Sequence, residues 1–214
     1  MDKTPFMDDK ERELAQEFLE FGFVIRPAED ISALSSIRDL LIDESERWLS
    51  GQQGNTSLRS LEQSHVVINT GILNDLRLHL FAQLNLMSGV RQKYFRLGSS
   101  QIQSLVGNEL AMQSKVNLSI QQPLDQSSVL ELHSDVWSGD SPFQVVLWVP
   151  LTNARSTNAM FLLRPERSYE AYQRALAGEL HSMAEIHQCY QNEFQPIEVD
   201  YGQIVIFDSN RMHG

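Results

Sequence analysis

The sequence has 214 residues, of which 42% are hydrophobic and 21% charged, a composition typical of a folded globular chain. Collagen-like, coiled-coil and wholly disordered chains are therefore excluded. The formal net charge is −11, and so acidic a chain repels phosphate, which argues against nucleic acid and anionic membranes as partners. A single cysteine, Cys189, excludes an internal disulfide and a cysteine metal cluster. Because the first residues hold no apolar signal core, we expect a cytoplasmic protein.

The first 112 residues are predicted to be mainly helical. Asp8 and Asp9 precede a run in which Leu14 and Phe18 lie one turn apart, which indicates the start of a helix. Asp30 is placed to cap the next helix. In chain order the predicted elements are this helix, a strand over Phe21–Ile25, a helix with Leu34, Ile37, Leu41 and Trp48 on one stripe, a polar loop over 50–60, a helix marked by Leu73, Leu76, Leu80 and Leu84, and further helix to about residue 112.

From residue 113 the pattern changes to that of strands. Val116, Leu118 and Ile120 alternate with polar residues, so Lys115–Gln121 predicts a half-buried strand. After a loop over 122–128, the other predicted strands are Val129–Trp137, Gln144–Leu151, Ala159–Leu163 and Gly202–Phe207. Ser168–Tyr190 predicts a helix between the last two, either a lid over a substrate pocket or a surface helix packed on the sheet.

Helices followed by short strands with long connections predict an α+β fold. We expect the strands to form an antiparallel sandwich or jelly roll, with the N-terminal helices packed on the outer sheet. The whole chain is predicted to be a single domain, with a mainly helical layer over 1–112 and a strand-rich core over 113–214.

Three residues carry the chemistry of the sequence: His133, Asp135 and His213. Residues two apart on a strand point to the same face, so the imidazole of His133 and the carboxylate of Asp135 would converge. His213 lies just past the strand GQIVIF, which a jelly roll can bring alongside. Two histidines and one carboxylate form the facial triad of non-haem Fe(II) sites. The alternative is a simple hydrogen bond between His133 and Asp135, with His213 unrelated to them.

The sequence also resembles a known family. HSD (133–135), VVLWVPL (145–151), RPERS (164–168) and GQIVIFDSNRMHG (202–214) are similar to segments of the Fe(II)/2-oxoglutarate-dependent oxygenases, specifically the phytanoyl-CoA dioxygenase-like branch. Within that branch the chain looks most like small members associated with surface-carbohydrate biosynthesis.

The resemblance implies a double-stranded β-helix, the cupin-like jelly roll, with the metal site in its core. It implies Fe(II) held by His133, Asp135 and His213, and 2-oxoglutarate as the cosubstrate. Trp148 matches a tryptophan that lines the cosubstrate pocket in that branch, although it can equally be a core aromatic. The polar residues of the strand before HSD lie where the branch contacts the cosubstrate, although they can equally be an exposed sheet face. These residues are Asn117, Ser119 and Gln121.

One feature departs from the family pattern. The family binds the far carboxylate of 2-oxoglutarate with an arginine one strand beyond the distal histidine, whereas this sequence stops one residue after His213. We therefore expect the last core strand and its arginine to be missing from this sequence. Otherwise the cation would have to come from elsewhere in the chain, from Lys115, Arg155, Arg164 or Arg211.

The sequence thus predicts a non-haem Fe(II)/2-oxoglutarate-dependent dioxygenase that hydroxylates a small-molecule or sugar-linked substrate and releases succinate and CO2. Two alternatives remain: a jelly-roll module that binds a metal or sugar without turnover, and a cupin-like metal-dependent sugar isomerase or epimerase.

Overall fold

The computed structural model describes residues 6–53, 58, 60–123 and 131–214. The chain divides into two compact units. The first comprises Met1–Pro27, Ser99–Leu110 and Leu130–Gly214, and the second comprises Ala28–Gly98 and Ala111–Val129. The predicted single domain is not tested by this division and stays a prediction. Within the described ranges, no helix is both long enough and apolar enough to cross a membrane.

The second unit is built from helices, as the sequence predicts for this part of the chain. They are α2 (Ile31–Gln53), α3 (Ser64–Val67), α4 (Thr70–Leu86) and α5 (Val90–Phe95). Asp30 caps α2 as expected, because its Oδ1 accepts a hydrogen bond of 2.8 Å from the backbone N–H of Ala33. That bond, with Arg96 nearby, holds the pKa of Asp30 below its ordinary value. Leucines of α2 and α4 form the buried centre: Leu34, Leu41, Leu49, Leu73, Leu76, Leu80 and Leu84.

The predicted strand over Lys115–Gln121 is wrong. Its alternating burial is real, since Val116 is buried while its neighbours on either side are exposed, but the segment has no strand partner among the described residues. Side chains of α4 bind its backbone instead of a sheet. Asn85 hydrogen-bonds both the N–H and the C=O of Val116, and Arg77 donates to the carbonyl of Ile120. Here the period of two belongs to an extended segment that lies on a helix. The pattern shows which side chains are buried but does not specify a partner strand.

The first unit contains two small antiparallel sheets. Its strands are β1 (Phe23–Pro27), β2 (Val145–Trp148), β3 (Met160–Leu163), β4 (Phe194–Ile197) and β5 (Gln203–Asp208). One sheet has the order β1-β5-β2 and the other pairs β3 with β4. Four of these strands lie where the sequence predicts strands. β4 was not predicted, because its sequence FQPI is short and contains Pro196, which is typical of an edge strand.

Residues 212–214 extend the second sheet. His213 forms isolated bridges with both His133 and Leu162, so the segment lies between β3 and residue 133. The chain thus leaves β5 in one sheet, turns over 208–211, and joins the other sheet at His213. Mixed helix and sheet is confirmed, whereas a jelly roll is not: the described residues show two small sheets rather than a closed pair of four-stranded ones.

Among its described residues, the first unit has the α-helices α1 (Asp9–Phe21), α6 (Ser99–Val106), α7 (Pro165–Leu176) and α8 (Met183–Tyr190). α1 begins after Asp8, as predicted, and packs on β1 and α6. The predicted helix over Ser168–Tyr190 is two helices, because Gly178 takes a left-handed φ of 72° after α7. The helix predicted to run to about residue 112 ends at Val106, and Gly107 follows with a φ of 86°. Most of the predicted loops at 50–60 and 122–128 lie outside the described residues.

Gly22 ends α1 in the left-handed conformation, with a φ of 72°, and a Cβ there would overlap the guanidinium of Arg211. Gly22→Ala should therefore lower the free energy of unfolding by about 3 kcal/mol, from backbone strain plus overpacking. Gly178→Ala is the matched control, because Gly178 has the same φ of 72° but open space around it. We expect it to cost only about 1 kcal/mol. Urea unfolding of both variants measures the difference, and equal losses would show that Arg211 does not occupy the space beside Gly22.

Candidate metal centre

The structure brings His133, Asp135 and His213 together. Each offers one ligand atom, and these atoms all lie within 4.8 Å of one another. The Nε2 atoms of His133 and His213 are 3.5 and 3.8 Å from Oδ1 of Asp135. Two imidazole nitrogens and one carboxylate oxygen at this separation are a donor set that fits Fe(II) and other divalent transition metals.

The local structure of the HSD segment differs from the prediction. The strand predicted over Val129–Trp137 is wrong for its described residues, since His133 forms only an isolated bridge and a 3₁₀-helix follows over Asp135–Ser138. Residues 129 and 130 lie outside the described chain. The two ligands converge because the chain turns from the bridge into the 3₁₀-helix, rather than through the period of a strand. Gly139, with a φ of 106°, ends this helix.

Backbone hydrogen bonds hold the two histidine-bearing segments side by side. The N–H of His133 donates to the carbonyl of His213 at 2.9 Å, and the N–H of His213 donates to the carbonyl of His133 at 2.8 Å. Their ring centroids are 4.1 Å apart, and the rings of Phe207 and His213 meet edge to face with centroids 4.9 Å apart. The separation of the two imidazoles is therefore set by the main chain and not by flexible side chains alone.

Carbonyl oxygens also fix the orientation of both imidazole rings. Nδ1 of His133 lies 2.8 Å from the carbonyl oxygen of Glu131, and Nδ1 of His213 lies 2.9 Å from that of Arg211. A carbonyl oxygen can only accept a hydrogen bond, so each Nδ1 carries the proton, which leaves each Nε2 lone pair free to bind a metal. Both Nε2 atoms face the same carboxylate, so the tautomers suit the site.

The two histidines differ in their electrostatic surroundings. The hydrogen bond to Asp135 raises the pKa of His133 above its ordinary value, whereas burial lowers the pKa of His213. The His213 side chain is only 6% exposed, compared with 25% for His133 and 20% for Asp135. Small molecules can therefore reach the site from the side of His133 and Asp135, while His213 forms its floor.

Two buried serines, which the sequence did not single out, tie the ligand segments to their surroundings. Ser134 is fully buried between His133 and Asp135, and its hydroxyl donates to the carbonyl of Ser209 at 3.2 Å. The Ser209 hydroxyl donates in turn to the carbonyl of Gln144 at 3.0 Å. Both serines lie inside the family-like segments HSD (133–135) and GQIVIFDSNRMHG (202–214), but nothing in those segments indicates that their hydroxyls are buried.

Arg211, which the sequence suggests only as a possible cation for the far carboxylate of 2-oxoglutarate, has a different place in the structure. It is 2% exposed, and its guanidinium donates to the carbonyls of Phe21, at 2.5 Å, and Leu163. Its Nε has no hydrogen-bond partner within the described chain, and burial lowers its pKa to about 10. The side chain thus joins the end of α1 and the end of β3 to the turn that carries His213.

The residues proposed to contact the cosubstrate are divided between the two units. Trp148 lies on β2 and packs against the buried cluster that contains Phe207 and Val205, as a core aromatic would. Asn117, Ser119 and Gln121 are exposed in the other unit. A role of any of these residues in cosubstrate binding stays a prediction.

The cations considered for the far carboxylate mostly have other contacts. Arg155 pairs with Asp200 at the surface, Arg211 binds two carbonyls, and Lys115 lies over the ring of Phe81 in the second unit. Arg164 is exposed at the start of α7. Among the described contacts of the first unit, no hydrogen bond or ion pair joins the side chain of Arg155, Arg164 or Arg211 to a triad residue.

No family model matches the sequence, and no curated protein matches it significantly. Among solved structures, the chain is similar to HygX from Streptomyces hygroscopicus, whose crystal structure was solved with nickel and 2-oxoglutarate bound. The likeness covers 97% of this chain and 80% of HygX, with 17% sequence identity and a TM-score of 0.47. A likeness with so low an identity and TM-score does not show what this chain does. Membership of the phytanoyl-CoA dioxygenase-like branch stays a prediction.

Proposed function

We propose that the chain is a non-haem Fe(II)/2-oxoglutarate-dependent oxygenase of the phytanoyl-CoA dioxygenase-like type, acting on a small molecule. The observation that carries this proposal is the convergence of His133, Asp135 and His213, whose ligand atoms lie within 4.8 Å of one another. The identity of the cosubstrate, 2-oxoglutarate, is inferred from the family resemblance of the segments around these residues.

The surroundings of the triad support a metal site over a chance cluster. A chance pair of histidines needs no common tautomer, yet both Nδ1 atoms here are bound to carbonyls and both Nε2 atoms point to Asp135. Carbonyl acceptors that orient metal-binding histidines in this way are a regular feature of metalloproteins. Three ligands leave further coordination positions open, as catalysis requires and structural sites avoid.

The residues have separate tasks in the proposed reaction. His133 and His213 would bind the metal through Nε2, and Asp135 would bind through Oδ1 and compensate part of its charge. Bound Fe(II) would supply the oxidation of a substrate C–H bond, coupled to conversion of 2-oxoglutarate to succinate and CO2. Burial of His213 keeps water from the floor of the site, and the partial exposure of His133 leaves a route for the substrate.

The test is formation of succinate from 2-oxoglutarate in air, with and without Fe(II), by the full chain. Slow uncoupled turnover that needs Fe(II) is expected even without the true substrate. Asp135→Ala should lower the rate to background, since the remaining ligands cannot hold the metal in place. If the wild-type chain binds Fe(II) tightly but forms no succinate above that variant, the oxygenase assignment is wrong and a metal-binding module becomes the better description.

A further inference from the structure

The segment that carries His213 pairs with β3 in a short antiparallel ladder. The pairing is centred on the bridge between Leu162 and His213. In a regular antiparallel ladder, the residue pairs on either side of such a bridge each exchange two backbone hydrogen bonds. Phe161 and Gly214 follow this rule, with bonds of 3.0 and 3.3 Å in the two directions. The ladder is therefore regular on one side of His213.

A side-chain hydroxyl opens the ladder on the other side of His213. There the N–H of Leu163 donates to the carbonyl of Met212 at 2.8 Å. The N–H of Met212, which would return this bond in a regular ladder, donates instead to Oγ of Ser168 at 3.2 Å. The same hydroxyl donates to the carbonyl of Leu163 at 3.2 Å. The serine oxygen thus lies between two backbone groups that a regular ladder joins directly.

The position of this hydroxyl is set by α7. Ser168 lies near the start of that helix and is only 5% exposed. One turn further on, Ala171 packs into the same buried cluster as Leu163 and Met212. A buried serine on a packed helix cannot turn its hydroxyl out to water, so the spacing of the ladder beside His213 depends on where α7 lies.

Loss of the hydroxyl would affect the N–H of Met212 most. Met212 is fully buried, so water cannot replace the lost partner, whereas the carbonyl of Leu163 keeps its hydrogen bond from Arg211. The N–H regains a partner only by moving towards the carbonyl of Leu163. His213 is the next residue and moves with it, against the backbone bonds that tie it to His133 on its other side.

We propose that Ser168 is a positioning residue of the metal centre, whose hydroxyl holds the ladder open so that Nε2 of His213 faces Oδ1 of Asp135. The inference rests on the proposed function, because that function makes His213 a metal ligand. It also gives the start of α7 a role in the site that differs from both readings of the predicted helix, the lid and the surface helix.

Anaerobic titration calorimetry of the full chain with Fe(II) tests the proposal. Ser168→Ala should weaken Fe(II) binding by about tenfold, as the loss of a group that orients a ligand does. Ser168→Thr keeps a hydroxyl and should recover most of the affinity. Ser168→Cys fills nearly the same space with a poorer hydrogen-bonding group, so it should weaken binding as well, and the test does not depend on how well the alanine variant folds.

Ser182→Ala is the matched control. Ser182 also lies at the start of a helix, where its hydroxyl accepts a hydrogen bond of 3.2 Å from the N–H of Glu185 and caps α8. It is exposed and makes no described contact with the triad. Its loss should reduce stability through the missing cap and leave Fe(II) affinity unchanged.

The visible absorption of bound Co(II), used in place of Fe(II), separates positioning from a general loss of stability. The absorption bands of Co(II) depend on the arrangement of its ligands. At saturating Co(II), the bands of Ser168→Ala should differ from those of the wild type, while Ser168→Thr and Ser182→Ala should match it. A merely structural serine would change the folded fraction but not the spectrum of the bound metal.

The proposal is overturned if Ser168→Ala and Ser168→Cys bind Fe(II) as tightly as the wild type. It is also overturned if their affinity falls only in step with stability and the Co(II) spectrum stays unchanged, or if Ser182→Ala loses as much affinity. These results leave the proposed function standing, since the wild type still binds the metal. A wild-type chain that binds neither metal would instead overturn the proposed function, and with it the ligand that Ser168 is proposed to position.

Discussion

Replacing Asp135 with alanine is expected to reduce Fe(II) affinity by at least about 100-fold while leaving the fold intact. Asp135 is the one carboxylate of the triad and lies 3.5 and 3.8 Å from the two histidine Nε2 atoms. It stands at the start of a 3₁₀-helix and is 20% exposed, so its loss creates no large cavity. Titration calorimetry under anaerobic conditions measures the affinity, and circular dichroism checks the fold.

Asp140→Ala is the matched control for that change. Asp140 is an exposed carboxylate five residues along the same segment, where it hydrogen-bonds Gln144 and takes no part in the triad. Saturating Fe(II) should raise the melting temperature of the wild type and of Asp140→Ala, but not of Asp135→Ala, because only a bound ligand stabilises the folded state. An equal rise in all three proteins would contradict the assignment of Asp135 as a ligand.

Replacing Arg211 with methionine should lower Fe(II) affinity by about tenfold, although the side chain touches no metal ligand directly. The buried guanidinium holds the carbonyls of Phe21 and Leu163, and the backbone of the same residue accepts the Nδ1 hydrogen bond of His213. Without these two hydrogen bonds, the turn that carries His213 is held less rigidly. Stability should change less than the loss of two hydrogen bonds suggests, because the cost of burying the guanidinium charge is removed at the same time.

Two further variants separate positioning from general damage. Arg211→Lys should recover part of the affinity, since an ammonium group can still donate to carbonyls. Arg155→Met should bind Fe(II) like the wild type, because Arg155 pairs with Asp200 at the surface. If Arg211→Met keeps wild-type affinity, or if its affinity falls only in step with unfolding, Arg211 does not position His213.

The sequence predicted most elements whose signal is local. Asp8 and Asp30 mark the starts of α1 and α2, and the apolar run GQIVIF lies at β5. The elements it missed depend on distant partners. The segment around Val116 alternates like a strand but lies on α4, and β4 has a weak signal of its own and exists because β3 pairs with it. No local pattern specifies such partners.

The site shows the same division. The identity of the three ligands could be proposed from spacing and family resemblance, and the structure brings them together. The way in which the ligands converge could not be predicted from the sequence, because it depends on a β-bridge between His133 and His213, which are far apart in sequence. The buried Ser134, Ser209 and Arg211 follow from that bridge, because each satisfies a polar group that the crossing segments bury.

We propose that the triad binds iron together with 2-oxoglutarate. Anaerobic titration of the full chain with Fe(II) and 2-oxoglutarate, followed by visible absorbance, tests it most directly. We expect a weak charge-transfer band that saturates, requires both components, and is absent in Asp135→Ala. A band that forms with Asp135→Ala as well, or Fe(II) binding to the wild type with no band on adding 2-oxoglutarate, would contradict the claim.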